Sequence, residues 1–496
     1  MQGIVQTQTR ASYTGLNKQF IAGHWRDGRA GAAMANINPF SGSDIFSIAL
    51  ANRADLDEAF AAAASAQRQW DAVLPAEKAA VFRRAASIME DRREEIVSWL
   101  IRESGSTRIK AELEWQFTFA MTIEASSFPY RVTGRILPVD VPGKESRVYR
   151  RPIGVVGVIS PWNWPMYLTH RSVAAALAVG NGVVVKPADD TPVTGGLLMA
   201  AVLEEAGLPP GLLNVVVGSV EEVGDAFTLH SVPRFISFTG STRVGKHIGA
   251  LAASGDHLKR VALELGGNAP FVVLDDADVD QAVRAAVFGR FLHQGEICMS
   301  VNRIIVDTKI YGEFADKFVE RVRGLKCGDP DDPKTAIGPI INKRQLDGMM
   351  RRIEQARSSG IKQALGGEPR GLVLPPQVFV EVGNDTELAQ TEQFGPIVPL
   401  IRVDGEAEAL RIANDTQYGL SSAVFTRDEG RGLRFALQLQ AGMTHINDMS
   451  ANDAPNNPFG GEKNSGIGRF GGEWIIDEFT TDHLITVQHE PRAYPF

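Results

Sequence analysis

Residues 155–189 read VVGVISPWNWPMYLTHRSVAAALAVGNGVVVKPAD, and this stretch decides the fold. It opens on an apolar strand pattern over 155–160. A helical segment follows over 171–179, and a second apolar run covers 182–186. Continuous apolar runs, unlike alternating ones, mark strands covered on both faces. The pattern repeats outward, with helices over 193–206, 221–229 and 241–253 and strands over 213–217, 235–238 and 260–265. Strands alternating with helices predict an α/β protein built on a doubly wound parallel sheet. Sheets of this kind bind ligands beyond the carboxyl ends of their strands.

The alternation restarts after Asn268, with a strand over 271–273 and a helix over 278–292, and continues to about residue 446. Two α/β halves predict two domains with a cleft between them, the boundary falling just before Gly266-Gly267. Upstream, residues 1–19 read as a polar arm, 20–25 as a small hairpin and 38–42 as a turn. Residues 54–70, 75–103 and 109–126 carry helical spacing, and Gly105 stops the second of these helices. Residues 131–151 look like an extended ribbon. The tail, 485–496, returns to a strand-like pattern that could pair with that ribbon or with another subunit's edge.

Composition narrows the function. The chain has 496 residues, 44% apolar and 22% charged, an ordinary mix for a folded chain of two or three domains. A net charge of −8 argues against general nucleic-acid binding. Two cysteines, Cys298 and Cys327, make no disulfide framework and fit a reducing compartment, the cytoplasm. The first ten residues do not read as a signal peptide. The most apolar stretch, 173–185, is interrupted at Gly180-Asn181-Gly182 and is too short to span a bilayer. No metal site is expected.

Several motifs carry chemistry. In His293-Gln294-Gly295-Glu296-Ile297-Cys298-Met299-Ser300 a thiol sits where helix gives way to loop. A free thiol is mostly protonated at neutral pH, so a nucleophilic Cys298 needs a base, a partner charge or a helix terminus. The plainer reading is a small buried hydrophobe. Gly240 and Ser241 form a strand–turn–helix start that is either an anion site or an ordinary cap. Lys186 and Asp189 end a strand where they could meet ribose hydroxyls, or simply face solvent. Asn163, held between Pro161 and Pro165, could donate to an oxyanion or serve as a turn residue. Glu264 lies among apolar residues at a strand end, where burial would raise its pKa toward that of a general base. If it faces outward it has no such role. Glu392 in Glu392-Gln393-Phe394-Gly395-Pro396 is a turn acid or a ligand's hydrogen-bonding partner.

Together these segments resemble the NAD(P)-dependent aldehyde dehydrogenase superfamily. PWNWP, FTGSTxxG, LELGG, QGxxC, EQFGP and PFGG occur in the family's order from about Gln19 to the end of the chain. The resemblance implies a Rossmann-like cofactor domain over 1–130 and 152–264, an α/β catalytic domain over 265–464, and an oligomerisation ribbon over 131–151 and 479–496. It implies a homodimer or homotetramer acting on a small aldehyde. Cys298 matches the nucleophile, Asn163 the oxyanion donor and Glu264 the base. Ser160, Trp162, Lys186, Asp189, Gly240, Ser241, Glu392 and Phe394 match cofactor contacts.

Two departures bear on the chemistry. Many relatives have Glu where this chain has Asp189; the charge is kept, so NAD is preferred and NADP remains possible. Many also carry a second acid where this chain has Thr481, which puts more weight on Glu264.

The segments 447–453 and 465–473 and the ending 491–496 look like the benzaldehyde and vanillin dehydrogenase branch. Trp164 and Tyr167, one helical turn apart, are expected to line a flat apolar tunnel with Asn452 and Phe459. Arg171, one turn further, would meet a ring hydroxyl or phenolate, or make a structural salt bridge. The competing readings are a CoA-acylating semialdehyde dehydrogenase, a broad aliphatic aldehyde dehydrogenase, and a non-catalytic protein on the same fold.

Overall fold

The computed structural model describes residues 11–496. The expectations for residues 1–10, the start of the polar arm and the lack of a signal peptide, lie outside the described residues. Three sheets organise the rest. The first has eight strands. Its centre is parallel, in the order Leu213–Val215, Gly182–Lys186, Val155–Ile159, Phe235–Thr239, Arg260–Glu264. Chain order runs one way from Val155–Ile159 and then reverses toward Phe235–Thr239. That reversal leaves a crevice at the carboxyl ends of these two strands, where Ser160 and Gly240 stand. Val156, Val183, Val184 and Ile236 are fully buried, as double-sided coverage requires.

The second sheet has seven strands, in the order Lys362–Leu365, Gln377–Val380, Ile397–Val403, Arg303–Asp307, Pro270–Val273, Ser421–Phe425, Met443–Ile446. All neighbours are parallel except the first pair. The third sheet is antiparallel, Thr480–Gln488 beside Lys144–Pro152 beside Arg135–Leu137. The tail therefore pairs with the ribbon, but its strand begins at Thr480 rather than at 485. Among the described residues, no helix is long and apolar enough to cross a membrane.

Three local expectations change. The helical run over 75–103 is two helices, Pro75–Asp91 and Arg93–Ser104. Arg92 sits between them with φ −105° and ψ 17°. Its guanidinium reaches Glu95 at 2.8 Å and Glu205 at 3.0 Å and lies 3.8 Å over the Tyr13 ring. Contacts from distant sequence thus hold a break that apolar spacing hides. The helix expected from 171 begins at Pro165, which suits the first turn because it has no N–H to satisfy. The turn at 38–42 joins an unforeseen hairpin, Ala33–Ile37 with Asp44–Ala49.

Candidate active site

Helix Val279–Phe291 ends just before the cysteine. His293, Gln294 and Gly295 then take φ of 50°, 54° and 78°. Left-handed backbone at two non-glycine residues is strained and persists only where surroundings fix it. Gln294 does so with both ends of its amide, donating to Pro339 O at 2.9 Å and accepting from Gly338 N at 3.1 Å. A Cβ at Gly295 would lie 2.5 Å from Gly395 O, so the turn excludes a side chain there. Beyond it, buried Arg290 ties the loop's far side by donating to Val301 O and Asn302 Oδ1, each at 3.1 Å. The sulfur is buried, and so held, at the wall of a cavity.

Asn163 shares that cavity. Its Nδ2 donates to Glu296 O at 2.9 Å, which leaves the second amide hydrogen for a ligand. The backbone carbonyl of Asn163 accepts from Lys110 Nζ at 2.7 Å. Lys110 and Glu114 form a fully buried ion pair. Glu114 Oε1 in turn accepts from the N–H groups of Met166 and Tyr167 at 2.9 and 3.2 Å. A carboxylate at a helix N-terminus satisfies donors that have no partner within the helix. This pair fixes both the amide and the helix that carries Trp164 and Tyr167. Breaking one partner of a buried pair typically costs about 3–5 kcal/mol. The pair reads in the sequence as an ordinary i, i+4 spacing; nothing there shows that it is buried.

Glu264 ends its strand facing inward, 1% exposed. Burial raises its pKa, and the Arg171 guanidinium opposes the rise. The thiol itself is pushed well up, by burial first and by the Glu264 charge second. In this site, then, the resting cysteine is a neutral thiol beside a buried acid, and the acid is the group placed to take its proton. Glu392 adds a second, partly buried acid. Its Oε1 accepts from Gly267 N at 2.9 Å, and burial lifts its carboxyl to about 7. Its charge also acts on Cys298 and Glu264, so the three lie close together.

The cavity walls are apolar and aromatic. Phe117 meets Trp164 edge-on at 5.9 Å and Tyr167 at 5.5 Å. Trp164, Tyr167, Asn452 and Phe459 line the cavity. Arg171 does not line it. The guanidinium pairs with Glu264 Oε2 at 3.4 Å and stacks on Phe459 and Phe470, 4.4 and 4.2 Å from the ring centres. Of its two expected roles, the contact with a ring substituent is therefore withdrawn and the salt bridge stands. Asp453, which the sequence reading passed over, does line the cavity. Its signal was there only as an acid beside Asn452; the Tyr167 hydroxyl that it accepts at 2.7 Å is remote in sequence. Thr481 is exposed on the strand paired with Arg151, away from this cavity.

The crevice of the first sheet has the donors a dinucleotide needs. Ser241 caps helix Thr242–Ser254, its hydroxyl accepting from Val244 N. One cap bond satisfies one of the four N–H groups that a helix start leaves open, and the rest favour a phosphate. At Gly240 a Cβ would lie 2.5 Å from the Phe238 ring, so the turn stays bare. Lys186 Nζ meets Asp189 Oδ1 at 3.0 Å at the neighbouring strand end. Ser160 Oγ donates to Gly195 O at 3.2 Å. Trp162 packs edge-on against Phe394, 5.3 Å between ring centres, and Phe394 takes φ 45°. Glu392 lies where Gly266 lacks a side chain; a Cβ there would come within 2.6 Å of Oε2. An anion-binding end, a cation–acid pair and a carboxylate near the thiol fit one extended dinucleotide.

Comparison with known proteins agrees with this geometry. The aldehyde dehydrogenase family profile matches residues 25–485. The chain is 52% identical over 480 residues to a vanillin dehydrogenase of Corynebacterium glutamicum, covering 96% of this chain and 99% of that one. It is similar to the crystal structure of an NAD-dependent benzaldehyde dehydrogenase from Corynebacterium glutamicum, with TM-score 0.90, 49% identity, and 98% and 99% of the two chains covered. A salicylaldehyde dehydrogenase from Pseudomonas putida G7, solved with salicylaldehyde, gives TM-score 0.93 and 38% identity over 97% of this chain and 99% of that one. The chain belongs to the aldehyde dehydrogenase family.

Proposed function

We propose that the protein oxidises aromatic aldehydes to carboxylic acids with NAD, through a covalent intermediate on Cys298. The observation that carries this reading is a thiol and an amide at the wall of one aromatic cavity, with the buried acid Glu264 close enough for its charge to act on the thiol. Cys298 Sγ bonds to the carbonyl carbon as its proton passes to Glu264. The new oxyanion is held by Asn163 Nδ2 and the Cys298 N–H. NAD held in the crevice would supply the acceptor for the hydride that leaves this carbon. The thiohemiacetal thereby becomes a thioester. Glu264, having passed the thiol's proton to solvent, then takes a proton from water. The hydroxide attacks the thioester carbon, the C–S bond breaks, the acid leaves, and Glu264 returns the proton to the sulfur.

Ser241 and Gly240 would hold the pyrophosphate, Lys186 and Asp189 the adenosine ribose, and Glu392 the nicotinamide ribose, with Ser160, Trp162 and Phe394 flanking it. Asp189 favours a free 2′-hydroxyl, hence NAD over NADP. Of the described residues, we place 11–130 and 152–264 in the cofactor domain and 265–464 in the catalytic domain. The ribbon, 131–151 with 479–496, is the surface for a homodimer or homotetramer in the cytoplasm. Its Ile136, Leu137, Leu484 and Ile485 are exposed apolar residues, of the kind that interfaces cover. A CoA-acylating enzyme has no use for a hydrolytic base, so Glu264 weighs against that alternative. The test is kcat/KM for benzaldehyde against hexanal, with NAD. Benzaldehyde is expected to lead; a clear preference for hexanal overturns the aromatic assignment.

A further inference from the structure

Among the described residues that line the substrate cavity, Asp453 is the only acid. Its Oδ2 accepts the Tyr167 hydroxyl at 2.7 Å, and its Oδ1 accepts the Ala454 N–H at 2.7 Å. A carboxylate offers about four acceptor positions, so two bonds leave room for another donor. Around it the wall is apolar: Phe117, Trp164, Leu168, Met449 and Phe459. Asn452 beside it is engaged, its amide donating to Asp448 at 2.9 Å. The nearby cation, Arg171, is paired with Glu264 and enclosed by two rings. A ring substituent reaching this wall therefore meets an acceptor rather than a cation, since Arg171, whose charge acts on Asp453 from behind the wall, does not line the cavity. Burial lifts the Asp453 carboxyl to about 6, so it is largely ionised at neutral pH.

We propose that Asp453, oriented by the Tyr167 hydroxyl, selects aromatic aldehydes bearing a ring hydroxyl and disfavours those bearing a ring carboxylate. The proposal rests on the aromatic-aldehyde reading and refines it. A hydroxyl donates to the carboxylate, whereas its methyl ether, of similar size, cannot. A carboxylate substituent would face like charge in an apolar cavity, where repulsion is poorly screened. Hydrogen bonds to charged groups contribute enough to shift kcat/KM by about tenfold or more.

The experiment measures kcat/KM at neutral pH for benzaldehyde, hexanal, the meta and para hydroxybenzaldehydes, their methyl ethers and the matching formylbenzoates. The enzymes are the wild type, Asp453→Asn and Tyr167→Phe. In the wild type the hydroxyl compound is expected to exceed its ether by about tenfold at one ring position or both, with the formylbenzoates slowest. Asp453→Asn keeps the shape and an acceptor oxygen but loses the charge. It is expected to shrink the hydroxyl-to-ether ratio several-fold and to raise formylbenzoate turnover relative to benzaldehyde. Tyr167→Phe removes the hydroxyl that orients Asp453 and is expected to shrink the ratio as well, which keeps the proposal testable should Asp453→Asn fold poorly; an unchanged ratio there overturns the orienting role. Equal ratios in wild type and Asp453→Asn, with benzaldehyde still ahead of hexanal, overturn the role of Asp453 alone. Hexanal ahead of benzaldehyde in the wild type overturns both readings.

Discussion

The two sides of Cys298 are made of different materials. On the cofactor side the groups come from the ends of regular elements: the strand ends at Ser160 and Lys186, the bare turn at Gly240, the helix cap at Ser241. On the substrate side they come from side chains of remote segments: Phe117 from one helix, Trp164 and Tyr167 from another, Asp453 and Phe459 from loops near the carboxyl end. Backbone ends suit a cofactor that presents the same phosphates each time. Side-chain walls can change without disturbing a sheet, so substrate choice can vary while the cofactor crevice stays fixed.

If the division is right, damage on one side should spare the other. The largest effect is expected from Asn163→Ala, which removes an oxyanion donor and should lower kcat by about 100- to 1000-fold. NAD affinity, measured by fluorescence titration, should change little. A parallel loss of NAD binding would mean that Asn163 serves the crevice instead.

A second effect concerns pH. Hydrolysis needs Glu264 ionised, and burial raises its pKa. Activity should therefore fall as pH drops through a value above the ordinary carboxylate range. Glu264 is coupled to Cys298, so the limb belongs to the pair. A pH profile of kcat/KM reads it, and an acid limb no higher than that of a solvent-exposed glutamate would contradict the burial argument.

The smallest effect is expected from Asp189→Ala. Removing the acid frees Lys186 from its 3.0 Å partner and lifts the repulsion toward a 2′-phosphate. The NADP-to-NAD ratio of kcat/KM should rise by about tenfold, with the benzaldehyde-to-hexanal preference unmoved. No change in the cofactor ratio would place Asp189 outside the ribose contact.

The same contrast explains what the sequence could tell. Apolar runs and turn glycines report strands, and strand ends report the crevice, so the first sheet and its turn at Gly240 were legible. Cys298, Asn163 and Glu264 could be singled out as candidates only through the resemblance that their motifs carry together, since each motif alone also admits a plain structural reading. Arg171 was ambiguous because its partners, Glu264, Phe459 and Phe470, are far along the chain. Asp453 was invisible for the same reason, its hydroxyl partner lying in the helix that begins at Pro165. Lys110 and Glu114 carry the spacing of a surface pair, yet lie fully buried behind Asn163. The break at Arg92 follows from contacts with Tyr13 and Glu205, which local periodicity does not encode.

The central claim is that Cys298 carries the acyl group and Glu264 releases it. Glu264→Gln mixed with benzaldehyde and NAD, quenched in acid and digested for mass spectrometry, tests this most directly. The account expects a single turnover, slowed because the thiol has lost its base, that stops close to one NADH per site and leaves a benzoyl group on the Cys298 peptide. Steady turnover with no adduct, or an adduct on Cys327 instead, would contradict it.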